Sequence, residues 1–170
     1  MNSTIGIDVA APADDVFRLA RDVERWPRLL PHYVAVRPIE RGDDGSLVAE
    51  MVARRPLVPV LGLSLPVAWR ARTWSEEATC QLRFVHRGGA TNGMDVTWRI
   101  SPRGSGGSRV EIDHDFRPRV GPWSVFIDRF FTRPIASRTL ATFKALAEAL
   151  ATDDSAANQS ARPRKTKTPT

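Results

Sequence analysis

Four segments of the chain, VAWRARTWSEE (67–77), CQLRFVHR (80–87), MDVTWRIS (94–101) and RVEIDHDF (109–116), alternate apolar and polar residues and follow one another almost without pause. Alternation at a period of two is the pattern of a strand with one buried face. The connections are Glu76-Glu77, the GGATNG turn and the RGSGGS turn. A parallel pair needs a crossover of a dozen or more residues, which these connections cannot supply. Neighbouring segments therefore run antiparallel.

Parity assigns the faces, because successive strand side chains point to opposite sides. Val110, Ile112, His114 and Phe116 share one face, opposite Glu111, Asp113 and Asp115. Met94, Val96, Trp98 and Ile100 form a second inward set; Cys80, Leu82, Phe84 and His86 form a third. Leu65, Val67, Trp69, Ala71 and Thr73 oppose Arg70, Arg72 and Trp74. The interior is thus apolar and aromatic, with His114 and His86 as imidazoles and Thr73 as a hydroxyl. His114 is either a core histidine with a local partner or a cavity-lining proton carrier, a role its ordinary pKa of about 6.5 suits. Trp69 and Trp98 are either platforms for a planar ligand or core filler. His86, at a strand end beside RGG, is expected at a rim, and His32, in a loop after Pro31, at the surface.

Upstream, STIGIDVAAP reads as a first strand, and Pro12 with two aspartates opens a helix carrying Val16, Phe17, Leu19, Ala20 and Val23 on its apolar face. VERWPRLLP is a short second helix, interrupted at Trp26-Pro27 and stopped by Pro31. Strands at 33–39 and 46–54 flank a RGDDG turn. RPLVPVLGLSLP, with three prolines, is read as a loop or lid over a pocket mouth. One long helix is expected over 122–151, with apolar residues at helical spacing and a kink at Pro134. The order of elements implies an α+β helix-grip fold: a curved antiparallel sheet of about seven strands wrapped on a long C-terminal helix, with two short helices after the first strand. A cavity between sheet and helix is a natural ligand site.

The 170 residues fit one domain, 1–152, followed by a disordered basic tail, 153–170, almost devoid of large apolar residues. One cysteine, Cys80, allows no internal disulfide. No signal peptide or membrane-spanning run is seen, so a cytoplasmic location is expected. The net charge of +6 comes from scattered arginines without a stripe or interleaved aromatics, which argues against nucleic acid as a partner. Three histidines on separate elements make no metal site, and no P-loop, nucleophile elbow or dinucleotide motif is present, so no cofactor is expected.

IDVAAPADDVFRLARDVERWPRLLP resembles the N-terminal signature of the START-related superfamily, a strand, APA..VF, then D...WP. GMDVTWRI followed by RVEIDHDF resembles the late strands of its polyketide cyclase/aromatase branch, where a THDF-like segment supplies a pocket histidine. The resemblance runs from about Ile5 to Leu150. It implies aldol cyclisation and dehydration of a poly-β-ketone tethered to an acyl carrier protein, with His114 as acid/base. The family's pocket arginine aligns with Thr73, with Arg72 adjacent on the opposite parity. A third polar residue is expected on the long helix, where Arg138 and Thr142 are the candidates. Trp69, Phe84, His86, Met94, Trp98, Phe116 and Phe130 are the expected ligand-lining residues. The alternative is a non-catalytic carrier of a lipid or isoprenoid quinone, similar to coenzyme-Q-binding relatives. In that reading WSVFIDRFFTRP touches a membrane surface, with Arg129 and Arg133 near the headgroups. Otherwise Phe126, Phe130 and Phe131 cap the cavity or pack a homodimer. A monomer and a homodimer both remain open.

Overall fold

The computed structural model of the protein describes residues 2–58, 63–88, 91–116 and 132–160. Strand β1 (Asn2–Val9) leads into α1 (Ala13–Arg21), a single 3-10 turn (Val23–Arg25) and α2 (Trp26–Leu29). Then come β2 (Tyr33–Arg41), β3 (Leu47–Val58), β4 (Leu63–Glu76), β5 (Gln81–His86), β6 (Met94–Arg103), β7 (Gly107–Phe116) and α3 (Arg133–Ser160). The seven strands form one antiparallel sheet in the order β1-β7-β6-β5-β4-β3-β2. Hairpins join β2 through β7, and the α1–α2 segment carries the chain from one edge strand, β1, to the other, β2. This curved sheet with a long C-terminal helix is the helix-grip fold expected from the strand spacing.

The parity reading holds along β7, where Ser108, Val110, Ile112, His114 and Phe116 are buried and their neighbours are not. Helix α3 covers that inner face with Ala136, Leu140, Phe143 and Ala147, spaced three to four residues apart. Trp26 ties helix pair, sheet and α3 together. Its ring lies 5.4–5.8 Å from those of Phe84, Trp98 and Phe143, and its Nε1–H donates to Ala20 O at 2.9 Å. The Trp26-Pro27 pair therefore begins α2 instead of interrupting it, with proline in the first turn where no N–H partner is lost. In the β6–β7 hairpin a Cβ on Gly107 would come within 2.9 Å of Arg103 O, so the close strand approach there requires glycine.

Two expectations about boundaries need correction. Most of RPLVPVLGLSLP is strand: β3 and β4 continue pairing through Arg55↔Leu65, Pro56↔Ser64 and Val58↔Leu63. Pairing of β2 with β3 starts at Tyr33↔Ala53, and that of β4 with β5 at Ala71↔His86. Arg54 N–H still donates to His32 O at 2.7 Å and Arg70 O accepts from Arg87 N–H at 2.8 Å; beyond those residues the two strands form an arm that pairs only with itself among the described residues. A proline there leaves no ladder bond broken on its outer side. Helix α3 continues to Ser160, past its expected end at residue 151. Pro134 falls in its first described turn, and residues 122–131 of the expected helix, on the other side of the expected kink, lie outside the described residues. The WSVFIDRFF segment, Phe126, Arg129, Phe130 and Phe131 with it, and residues 161–170 lie outside the described residues.

Candidate functional site

A cavity of about 90 Å³ lies between the inner face of β4–β7, β2–β3 and the start of α3. Its walls are mainly apolar and aromatic, with Trp26, Trp69, Phe84, Met94, Trp98 and Ile112 among them. Four of the expected ligand-lining residues on strands, Trp69, Phe84, Met94 and Trp98, are thus brought together. Polar atoms enter at two places.

The first is on the sheet. His114 lines the cavity and is only 6% exposed, carried inward by the β7 alternation between Ile112 and Phe116. His86 lines it too, instead of sitting at a rim. Its Nδ1 lies 2.9 Å from Thr91 Oγ1, and its ring stacks on the Trp69 indole. Burial, and then the nearby His114, push the His86 pKa down to about 3, so this imidazole is neutral near pH 7.

The second place is on the helix side, and the parity of the strands does not reveal it. His32, expected at the surface, is 1% exposed: the turn from α2 into β2 folds it under α3. Its Nε2 lies 2.8 Å from Thr139 Oγ1, and Thr139 in turn donates to Ile135 O at 2.8 Å. Burial and the positive Arg138 push the His32 pKa down to about 4. Tyr33 and Thr139 line the cavity, and burial holds the phenol well above the ordinary tyrosine range. Thr139 was findable, since it shares the helical face of Ala136, Leu140 and Phe143. His32 precedes the first strand residue, where neither period applies.

The remaining predicted residues stand elsewhere. Thr73 is buried on the correct face but lies against Leu47 and Phe84 in the ladder and does not line the cavity. Arg72 points to the outer face. There it binds Asp44 at 2.6 Å and Ser46 Oγ at 3.1 Å, and its guanidinium sits 5.9 Å from the Trp74 ring. Strand alternation gives adjacent residues opposite faces, so Arg72 cannot replace Thr73 inside. Phe116 is core packing, 1% exposed and absent from the cavity wall. Thr142 bonds back to Arg138 O, and Arg138 is exposed. No cluster of three His, Cys, Asp or Glu suited to a metal occurs among the described residues, and none of their helices is long and apolar enough to cross a membrane.

A family model described as "Polyketide cyclase / dehydrase and lipid transport" matches residues 2–152. The chain is 27% identical over 144 residues to a granaticin polyketide synthase bifunctional cyclase/dehydratase from Streptomyces virginiae, covering 79% of this chain and 43% of that protein. Among solved structures it resembles the di-domain aromatase/cyclase BexL from the BE-7585A biosynthetic pathway, at 26% identity and a TM-score of 0.67, over 85% of this chain and 45% of the other. The Zhui aromatase/cyclase from Streptomyces sp. R1128 shares the fold, with a TM-score of 0.71 at 19% identity over 87% of this chain and 93% of that one. The chain spans less than half the length of the bifunctional relative and of the di-domain structure. With the match extending from β1 into α3, the chain belongs to the polyketide cyclase / dehydrase and lipid transport family.

Proposed function

We propose that the protein is an aromatase/cyclase that folds a carrier-tethered poly-β-ketone in this cavity and promotes its aldol cyclisation and dehydration. The observation that supports this reading most is the His114 imidazole, set into an aromatic-walled cavity in a member of this family. In its neutral form His114 takes a proton from a methylene between two carbonyls. The enolate carbon attacks a ketone carbon further along the chain, closing the ring, and protonated His114 returns its proton to the new alkoxide, giving a hydroxyl and a neutral imidazole. His114 then takes the second proton from the same methylene carbon and passes it to that hydroxyl, which leaves as water as the C=C bond forms. General acid–base help of this kind is worth about 10²–10⁴ in rate, and holding a flexible chain in one reactive conformer contributes more. His86, kept neutral, offers a hydrogen bond to the developing enolate oxygen without adding a cation.

The test is reconstitution with a minimal polyketide synthase and its carrier protein. Adding the protein is expected to convert a mixture of spontaneous products into one aromatic ring pattern; an unchanged mixture overturns the proposal. The predominance of apolar wall supports a second reading, carriage of a lipid or isoprenoid quinone. Solvent extraction of purified protein followed by mass spectrometry decides it: a bound isoprenoid or lipid supports carriage, and its absence counts against it.

A further inference from the structure

We infer that Thr91 is a positioning residue that makes His86 Nε2 a two-way hydrogen-bond partner, offering an N–H to a ketone oxygen of the ligand or a lone pair to an enol or phenol O–H. The inference rests on the ligand-cavity reading above and extends it by naming the groups that this wall recognises. His86 and Thr91 both line the cavity, and His86 Nδ1 lies 2.9 Å from the Thr91 hydroxyl oxygen. Nε2 has no hydrogen-bond partner among the described residues yet remains accessible, so it is left to a group in the cavity. Trp69 stacks on the ring with planes 14° apart and keeps it from swinging away. Thr91 is held as firmly. In its turn Gly88 N–H donates to Asn92 Oδ1 at 2.7 Å, Gly93 N–H to His86 O at 3.0 Å and Met94 N–H to Thr91 O at 3.0 Å. Gly88 and Gly93 have φ of +92° and +81°, a backbone region in which glycine is at ease.

A hydroxyl rotates, and it can give or take a proton. Thr91 Oγ1 has no second hydrogen-bond partner among the described residues to fix its direction. Burial keeps the imidazole neutral, so it carries a single N–H. When Thr91 donates to Nδ1, the imidazole proton is on Nε2 and faces the cavity. When Thr91 accepts from Nδ1, Nε2 is a bare acceptor. The two forms exchange by losing a proton to water at one nitrogen and gaining one from water at the other. The ligand selects between them, and a chain that passes from ketone to enol and phenol meets a matched wall in each form.

His86 is one of three histidines, so its nitrogen–proton NMR signals are assigned in the intact protein by their loss in His86→Gln. Two probes of similar size are used: acetonaphthone, which only accepts a hydrogen bond, and naphthol, which donates one. With acetonaphthone bound the His86 proton is expected on Nε2, and with naphthol bound on Nδ1. The same tautomer with both probes overturns the inference while leaving the cavity reading intact. Tryptophan-fluorescence titration measures what Thr91 contributes. In Thr91→Val an Nδ1–H would face a methyl group as a buried donor without an acceptor, so the proton is expected to stay on Nε2. Naphthol binding is then expected to weaken about tenfold, the worth of one hydrogen bond, with acetonaphthone binding kept. Thr91→Ser is expected to restore both the naphthol affinity and the change of tautomer. Equal weakening of both probes, without recovery in Thr91→Ser, gives Thr91 a merely structural role and overturns the inference. The wild-type tautomers decide it even where Thr91→Val does not fold. Binding of neither probe by wild type overturns the cavity reading as well.

Discussion

The Trp69 indole and the His86 imidazole lie stacked, with planes 14° apart and centroids 6.0 Å apart. Register explains the pairing: His86 stands opposite Ala71, which puts Trp69 two residues away on the same inward face of the neighbouring strand. The indole covers the imidazole and helps to desolvate it, and desolvation is the main reason its pKa falls to about 3.

That burial makes stability depend on pH. His86 and His32 have native pKa values of about 3 and about 4, whereas the unfolded chain protonates histidine near 6.5. Above about pH 7 both states are neutral and neither residue contributes a slope. As pH falls below 6.5, the unfolded chain binds protons that the native imidazoles refuse, so stability is lost progressively toward the native values. Denaturant melts between pH 7 and pH 5 are expected to show the loss, at up to about 1.4 kcal/mol per pH unit for each imidazole. His32→Gln is expected to give a shallower slope. An identical slope would place this imidazole in water.

Trp26 holds the short helices, sheet and α3 around one ring. Trp26→Ala is expected to destabilise the protein by about 3–5 kcal/mol, a large part of what an ordinary domain possesses. Trp26→Phe should cost less, chiefly the bond to Ala20 O. Equilibrium denaturation with both variants measures the difference.

Arg72 faces outward on an exposed ion pair with Asp44, the kind worth at most about 1 kcal/mol. Arg72→Ala is expected to leave the products of a reconstituted synthase unchanged and to lower stability by no more than that. A lost ring closure in a folded variant would return Arg72 to the site.

How much of this was legible in the sequence depends on which period governed each residue. Strand alternation alone carried His114 inward, and the short connections alone made the sheet antiparallel. The same rule excluded Arg72 from the interior, since its parity already opposed that of Thr73. Prolines misled in the 55–66 segment: proline argues against a central strand, but among the described residues nothing pairs with the outer edges of the arm, so a missing N–H there breaks no ladder bond. The site was half legible. His86 looked peripheral because it ends its strand, yet Trp69 from the neighbouring strand and Thr91 from the following turn enclose it. His32 was opaque because a loop histidine is buried by tertiary packing, here under α3, and no local pattern records that.

The most direct measurement of the central claim is the product distribution of the reconstituted synthase with His114→Gln, with folding of the variant checked by its NMR spectrum. Gln keeps the hydrogen-bonding capacity but cannot carry a proton near neutrality. The expected result is a folded protein that no longer directs ring closure, its products reverting to the spontaneous mixture. A folded variant that yields the wild-type ring pattern at the wild-type rate would contradict the account.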